Sequence, residues 1–410
     1  MRAINRMFCL ASMLAMMAAA HPAAAEDVNL GFMVGYTGDM GPWAPALDNA
    51  AKLAVEEINA AGGVLGNPIK LWSEDNESTV EGGVRGARKL VSVNKVNAII
   101  GPESDVIMAL KEFAKDNGIP IISTSAGTSA LDRIGGAGRF LYRTNASDSF
   151  IGVAAAKLML EALGHKEVAI LVENVEGTQS TADAFIRNYE KFGGKISKKI
   201  VLSPGQATYH SELADLAGTK PKIVVLAAGQ ITGVNVVKQA YQRGYEWDWY
   251  ATVELQNPDF VASAGAEVVK GTVSAVPGQR DDDPSWLRFS ERYKAKYGEA
   301  PQTGFYQAET YDAIVLTALA MEAAKSTAGK DIDQHLTAVA AAPGEKVSTF
   351  EEGVKLLREG KDIDYSGASG TVDFNEFGNV GVPAIRLVKV NDKGEWETVQ
   401  VVDSRDFPAN

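Results

Sequence analysis

Cysteine is almost missing from this chain: Cys9 is the only one in 410 residues. A single thiol builds no internal disulfide and no cysteine metal cluster. Histidine is nearly as scarce, with four residues. His165, His210 and His335 lie far apart and none has a neighbour at ligand spacing, so each reads as surface histidine. No G-x-S-x-G, H-E-x-x-H or Walker A sequence occurs, which removes the common hydrolase, zinc-protease and phosphate-loop signatures. The acidic run Asp281-Asp282-Asp283 reads as a solvated loop ending in a helix cap rather than as a cation site. There is no low-complexity linker, and no apolar stretch reaches the roughly 20 residues that span a bilayer.

One shorter apolar run is present, Met7 to Ala20, preceded by Arg2 and Arg6 and followed by Ala23-Ala24-Ala25. A basic start, a short apolar stretch and small residues at cleavage spacing form a secretory signal peptide. Residues 1–25 are therefore expected to be removed, leaving a periplasmic protein that begins at Glu26. Cys9 precedes the apolar run, so no lipid anchor is expected. The remainder, about 385 residues, has room for two domains at roughly 100–200 residues each. Losing Arg2 and Arg6 takes the 40 basic residues to 38 against 52 acidic ones, and the net charge from −12 to −14. An acidic, unpatterned surface argues against nucleic acid and anionic membranes as partners.

Along the chain, strands alternate with helices. Val28–Val34, Ile69–Trp72, Val96–Ile100 and Pro120–Ser123 read as strands, separated by helices over Leu47–Ala61, Val80–Val93 and Val106–Asn117. The rhythm restarts with helix Ser149–Gly164, strand Val168–Val172, helix Thr181–Phe192, strand Ile223–Ala227, helix Val234–Arg243 and strands Trp249–Thr252 and Gly271–Val276. Helices over Pro284–Tyr297, capped by Asp283, and Thr303–Ala324 follow. The tail Gly370–Val402 reads as strands with a turn at Asn391-Asp392-Lys393-Gly394. This alternation predicts α/β architecture with parallel sheets in two successive units. The short polar join Arg143–Ser149 suits a hinge.

Several segments stand out in order: Thr37-Gly38, Ile58-Asn59-Ala60-Ala61-Gly62-Gly63, Glu74-Asp75-Asn76, Ile99-Ile100-Gly101-Pro102, Ile119-Pro120-Ile121-Ile122-Ser123, Arg143-Thr144, Tyr311-Asp312-Ala313 and Ser366 through Phe374. Together they resemble the branched-chain amino-acid type of periplasmic solute-binding protein, the type I receptors of ABC importers, over about residues 27–390. The resemblance implies two doubly wound lobes joined by three crossings, with ligand held between them. Lobe one would be 27–143 plus 277–364, and lobe two 144–276 plus 365–410, with crossings near 144–147, 273–277 and 365–370. It also implies an inner-membrane ABC permease as partner, a monomeric receptor and no cofactor or metal.

Carried over residue by residue, the resemblance marks nine positions. Trp43 takes the place of a first-loop aromatic, or packs the lobe. In Glu103-Ser104-Asp105 the family's carboxylate-binding serine position is taken by Asp105, which would also serve as a helix cap. In Ser125-Ala126-Gly127-Thr128 the threonine position is Gly127, with Thr128 or backbone N–H groups as substitutes. Glu176 replaces a tyrosine, or is a solvated loop acid. Gln230 falls at a second polar contact, and Glu254 where the family keeps an acid for the ligand's ammonium. A carboxylate at Asp105 would repel an anionic ligand head by about 4 kcal/mol at roughly 4 Å and an effective dielectric near 20. Together with the face of Trp43, this favours a small amino acid or amine-bearing solute. An amide, urea or aromatic acid on the same fold, a sensory receptor for a membrane kinase or chemoreceptor, and an enzyme on a doubly wound fold are the alternatives.

Overall fold

The computed structural model describes residues 28–302, 304–381 and 384–403. The signal-peptide reading, including Cys9 and the cleavage point at Glu26, lies outside the described residues, as do 404–410.

The first unit is built on strands β1 (Val28–Val34), β2 (Ile69–Asp75), β3 (Ala98–Ile100), β4 (Ile121–Ser123) and β5 (Leu141–Arg143). They form a parallel sheet in the order β2-β1-β3-β4-β5. The second unit adds β6 (Glu167–Glu173), β7 (Lys195–Leu202), β8 (Ile223–Ala227), β9 (Asp248–Ala251) and β10 (Val273–Gly278). A small sheet of β11 (Glu345–Val347), β12 (Ile363–Gly367) and β13 (Gly370–Thr371) follows, then β14 (Ala384–Val390) and β15 (Trp396–Asp403). The second large sheet runs β15-β14-β10-β9-β8-β6-β7, with β14 and β15 antiparallel at one edge. Central strands such as β3, β4 and β8 are buried along their whole length, as expected for parallel strands covered on both faces.

The strands and helices read from periodicity are present, with telling shifts at their ends. The helix expected over 181–192 runs Glu176–Lys191, and the one expected over 234–243 runs Gln230–Gln242. The first turn of the former, Glu176-Gly177-Thr178-Gln179, is polar or small, and in the latter the one early apolar residue, Ile231, is exposed, so apolar periodicity starts only later. The helix expected over 106–117 is two, Ser104–Ala109 and Lys111–Asn117. Asp283 caps Pro284–Tyr297 by accepting from the amides of Ser285 and Trp286, whereas Asp105 lies inside its own helix and does not cap it, accepting instead from the first amide of helix Glu176–Lys191.

Helix Gln307–Ala324 is buried on nearly every side and forms the spine of the first lobe's core. It also fixes the third crossing, which differs from the sequence reading. Buried Asp312 accepts from Tyr365 Oη (2.8 Å), the amides of Ala368 (2.9 Å) and Ser369 (2.7 Å), and Ser369 Oγ (2.6 Å). Tyr365, Ala368, Val372 and Phe374 pack in the same core as β1. Arg143 then donates its amide to Gly378 O at 3.0 Å. Residues 365–379 therefore belong to the first lobe, and the chain returns to the second between Asn379 and Ala384.

The crossings are tied together. Thr144 Oγ1 donates to Glu309 O (2.8 Å), Gln279 Nε2 to Glu309 Oε1 (3.1 Å), and Arg386 Nη2 to Gln279 O (2.7 Å). Burial pushes the Glu309 carboxyl up to about 8.

Candidate ligand site between the lobes

Loops after β1, β3 and β4 of the first lobe face those after β6, β8 and β9 of the second. This is the carboxyl-end position where open α/β sheets bind ligands. A cavity of about 300 Å³ lies there, a size that fits a small solute.

Six of the nine residues marked from the sequence line it: Trp43, Ser104, Asp105, Ser125, Gly127 and Glu254. Three do not. Thr128 is fully buried and donates its hydroxyl to Glu176 Oε1 at 2.6 Å. The Glu176 amide in turn donates to Asp105 Oδ1 at 2.9 Å. Thr128 and Glu176, with one oxygen of Asp105, thus join lobe to lobe beside the cavity. Gln230 starts its helix and accepts from Asn257 Nδ2 at 3.1 Å, also off the cavity.

Glu103, one of the three residues of the Glu103-Ser104-Asp105 run, lines it too, and residues that sequence reasoning passed over complete the walls: Asp39, Asn145, Asp148, Tyr250 and Tyr306 among them. Arg143, buried at the end of β5, shapes one wall by donating to Gly127 O (3.0 Å) and Thr128 O (2.9 Å) while pairing with Asp132. Gly127 is required by crowding. A Cβ there would stand 2.2 Å from Asp148 Oδ1, so Asp148 fills the space of the side chain missing at 127. Trp43 is 3 % exposed and packs against Phe305, with ring centroids 6.0 Å apart. Tyr306 adopts a left-handed backbone with φ of 54° at the start of the spine helix. That is a cost of order 1–3 kcal/mol for a non-glycine residue, of the kind that clusters at ligand sites.

The lining charges are all acidic, although the buried guanidinium of Arg143 acts on Asp148 from behind the wall. Five carboxylates line the cavity, Asp39, Glu103, Asp105, Asp148 and Glu254, and among the described lining residues there is no lysine, arginine or histidine. Burial pushes the Asp148 carboxyl up to about 7, helped by the charge of Glu254. Burial likewise pushes Glu103 up to about 7, with Asp105 and Asp75 adding to it. Glu254 is raised by burial although the Thr252 hydroxyl, which donates to it, works in the other direction. Several buried polar atoms here have no hydrogen-bond partner: Asp148 Oδ2, Glu103 Oε1, Asn145 Oδ1, Ser125 Oγ and Trp43 Nε1. Unpaired buried groups are costly, and those at a cavity wall are the ones a ligand satisfies.

Residues 27–395 match the periplasmic binding protein family. The chain belongs to that family. Among its relatives is the Leu/Ile/Val-binding protein BraC3 of Rhizobium johnstonii, 24 % identical, with 93 % of this chain and 95 % of that protein covered. A branched-chain amino-acid substrate-binding protein from Streptococcus pneumoniae, solved with isoleucine, superposes with a TM-score of 0.76 at 24 % identity, covering 92 % of this chain and 100 % of that one. A solute-binding protein of an ABC transporter from R. palustris, solved with benzoate, gives 0.71 at 19 % identity over 92 % of this chain and 97 % of that one. The fold of this periplasmic binding protein is therefore the two-lobed α/β one, and the sequence resemblance holds at family level.

The raised carboxyls make a prediction about the ligand-free protein. Their folded pKa lies above the ordinary carboxylate value, so between about pH 4 and about pH 7 the folded state holds more protons than the unfolded one. Stability falls as pH rises through that window. Thermal melts at pH 5 and pH 7.5 test it: the ligand-free protein melts higher at pH 5, and a reversed order would mean these acids are solvated in the empty cleft.

Proposed function

We propose that this chain is a periplasmic receptor of an ABC importer that captures a small solute bearing a cationic nitrogen and hands it to a membrane permease. The observation that carries the reading is a cavity walled by five carboxylates with no basic side chain among its described lining residues. A cation supplies the missing countercharge and the donors that the orphaned acceptors lack. The rings of Trp43, Tyr250 and Tyr306 at the same cavity add cation–π attraction of roughly 0.5–2 kcal/mol. Closure of the lobes is the mechanism: Glu103 and Trp43 come from the first lobe and Glu254 from the second, so the full contact set exists only when they meet. The relatives named for Leu/Ile/Val support a nitrogen-bearing ligand. A benzoate-like anion meets five acids on the lining, with the one nearby cation, Arg143, already paired with Asp132, so electrostatics disfavour the aromatic-acid alternative.

The ligand is expected to favour the ionised form of Asp148 and Glu103, so binding releases protons and affinity rises with pH through about 7. Calorimetry with amine probes at pH 6 and pH 8, in buffers of different ionisation heat, checks both the sign and the protons released. Affinity that falls with rising pH for amines, or tight binding of benzoate, would sink the proposal.

A further inference from the structure

We infer that the ligand is a dication without a free carboxylate, an alkyl diamine or an amine with a guanidinium at its far end. This rests on the cation reading above and extends it from one charged end to two.

Three of the five cavity acids fall into two groups on different walls, while Asp39 and Asp105 accept amides from the opposite lobe. Asp148 and Glu254 make one. Asp148 is 6 % exposed, its Oδ2 has no partner, and the charge of Glu254 acts on it. Glu254 follows β9 and is held by Thr252 and Thr181 of the second lobe. Glu103 makes the other. It follows β3 in the first lobe, and Asn76 Nδ2 donates to its Oε2 at 2.8 Å, leaving Oε1 buried at the cavity without a donor.

Glu103 comes with the first lobe and Glu254 with the second, so a ligand with a cationic group at each end offers a partner to both. With only the Asp148 and Glu254 group occupied, Glu103 stays desolvated and unpaired, at a cost on the scale of a buried unsatisfied charged group. An α-amino acid makes this worse, because its carboxylate would reach the first-lobe wall. That wall presents Glu103 and Asp105, and at 127 a glycine whose side-chain space Asp148 already fills. Asn145 Oδ1 is another buried acceptor at the same cavity with no donor. Three acceptors without donors, on Asp148, Glu103 and Asn145, outnumber the unpaired donors Trp43 Nε1 and Ser125 Oγ at the same cavity, and call for a ligand rich in N–H groups at both ends. The cavity of about 300 Å³ has room for an unbranched chain between them.

The test is calorimetric titration of the exported protein with putrescine, cadaverine, agmatine, butylamine, leucine and benzoate, repeated on Glu103→Gln. In the parent, the preferred dication binds about 30-fold or more tighter than butylamine, as expected for one additional desolvated charge pair. In Glu103→Gln the ratio of the two affinities shrinks to a few-fold. Dications and butylamine binding alike in the parent overturns this inference and leaves the cation reading standing. Leucine binding tighter than every dication overturns it as well. Binding of benzoate alone, or of no amine, overturns both. The parent comparison needs no variant, so a poorly folding Glu103→Gln does not protect the inference.

Discussion

Glu254→Gln is expected to bind an amine probe about 2–5 kcal/mol more weakly than the parent, the usual consequence of truncating one partner of a buried charge pair. Glutamine keeps the shape, and its carbonyl oxygen accepts from Thr252 or Thr181, the two hydroxyls now on Glu254. What it loses is the charge. The ligand-free variant should behave in the opposite sense. Glu254 raises the carboxyl of Asp148, so removing its charge relieves repulsion, and the variant should melt at or above the parent temperature. Weaker binding with unchanged or higher melting temperature separates a ligand contact from a structural one. Affinity within twofold of the parent would make Glu254 a mere cleft acid, and the amine reading would fall with it.

The largest effect on stability is expected at Asp312→Ala. One buried carboxylate accepts four hydrogen bonds from Tyr365, Ala368 and Ser369. Alanine leaves two backbone N–H groups and two hydroxyls without that acceptor, at about 1–3 kcal/mol for each one that stays buried and unpaired. A total loss of about 3–5 kcal/mol is expected once local relaxation is allowed for. Urea unfolding of the parent, Asp312→Ala and Asp312→Asn measures it, with the asparagine variant intermediate because one acceptor oxygen remains. A loss below about 1 kcal/mol in Asp312→Ala would show that the turn at 366–370 holds without the carboxylate.

Much of this architecture is legible in the chain because burial writes periodicity into it. Val28–Val34 and Pro284–Tyr297 have the bounds that periodicity and capping predict. Reading fails where residues answer to the site instead of the core. Glu176 to Ser180 carry no apolar stripe because they face the first lobe, so their helix looks shorter from the sequence than it is. The return of the chain to the second lobe is misplaced for a related reason. The anchor of 365–369 is one polar residue, Asp312, and hydrogen bonds to a carboxylate leave no hydrophobic pattern.

The site divides the same way. Trp43, Gly127 and Glu254 are marked by the family resemblance and line the cavity. Asp148 is not, since it reads as an ordinary first-turn acid of the helix Asp148–Lys157. Its meaning depends on Gly127, distant in the chain and adjacent in space. Glu103 looks like a loop acid until its burial is seen. Thr128 and Glu176 lie off the cavity and, with one oxygen of Asp105, bind the two lobes to each other.

That last arrangement bears on how the receptor behaves when nothing is bound. The Glu176 amide on Asp105, the Thr128 hydroxyl on Glu176, the Ser129 amide on Ser180 Oγ (2.8 Å) and the Ile231 amide on Asp39 (3.3 Å) all join the lobes without help from a solute. At about 0.5–1.5 kcal/mol each in net terms, they narrow the gap between the open and shut forms before any ligand arrives. Apparent affinity rises with the fraction already competent to bind. If the chain serves an importer as proposed, the same bonds let an empty receptor present a loaded-looking surface, and a permease would show futile ATP turnover that grows with receptor concentration and fades when the Thr128–Glu176 bond is cut.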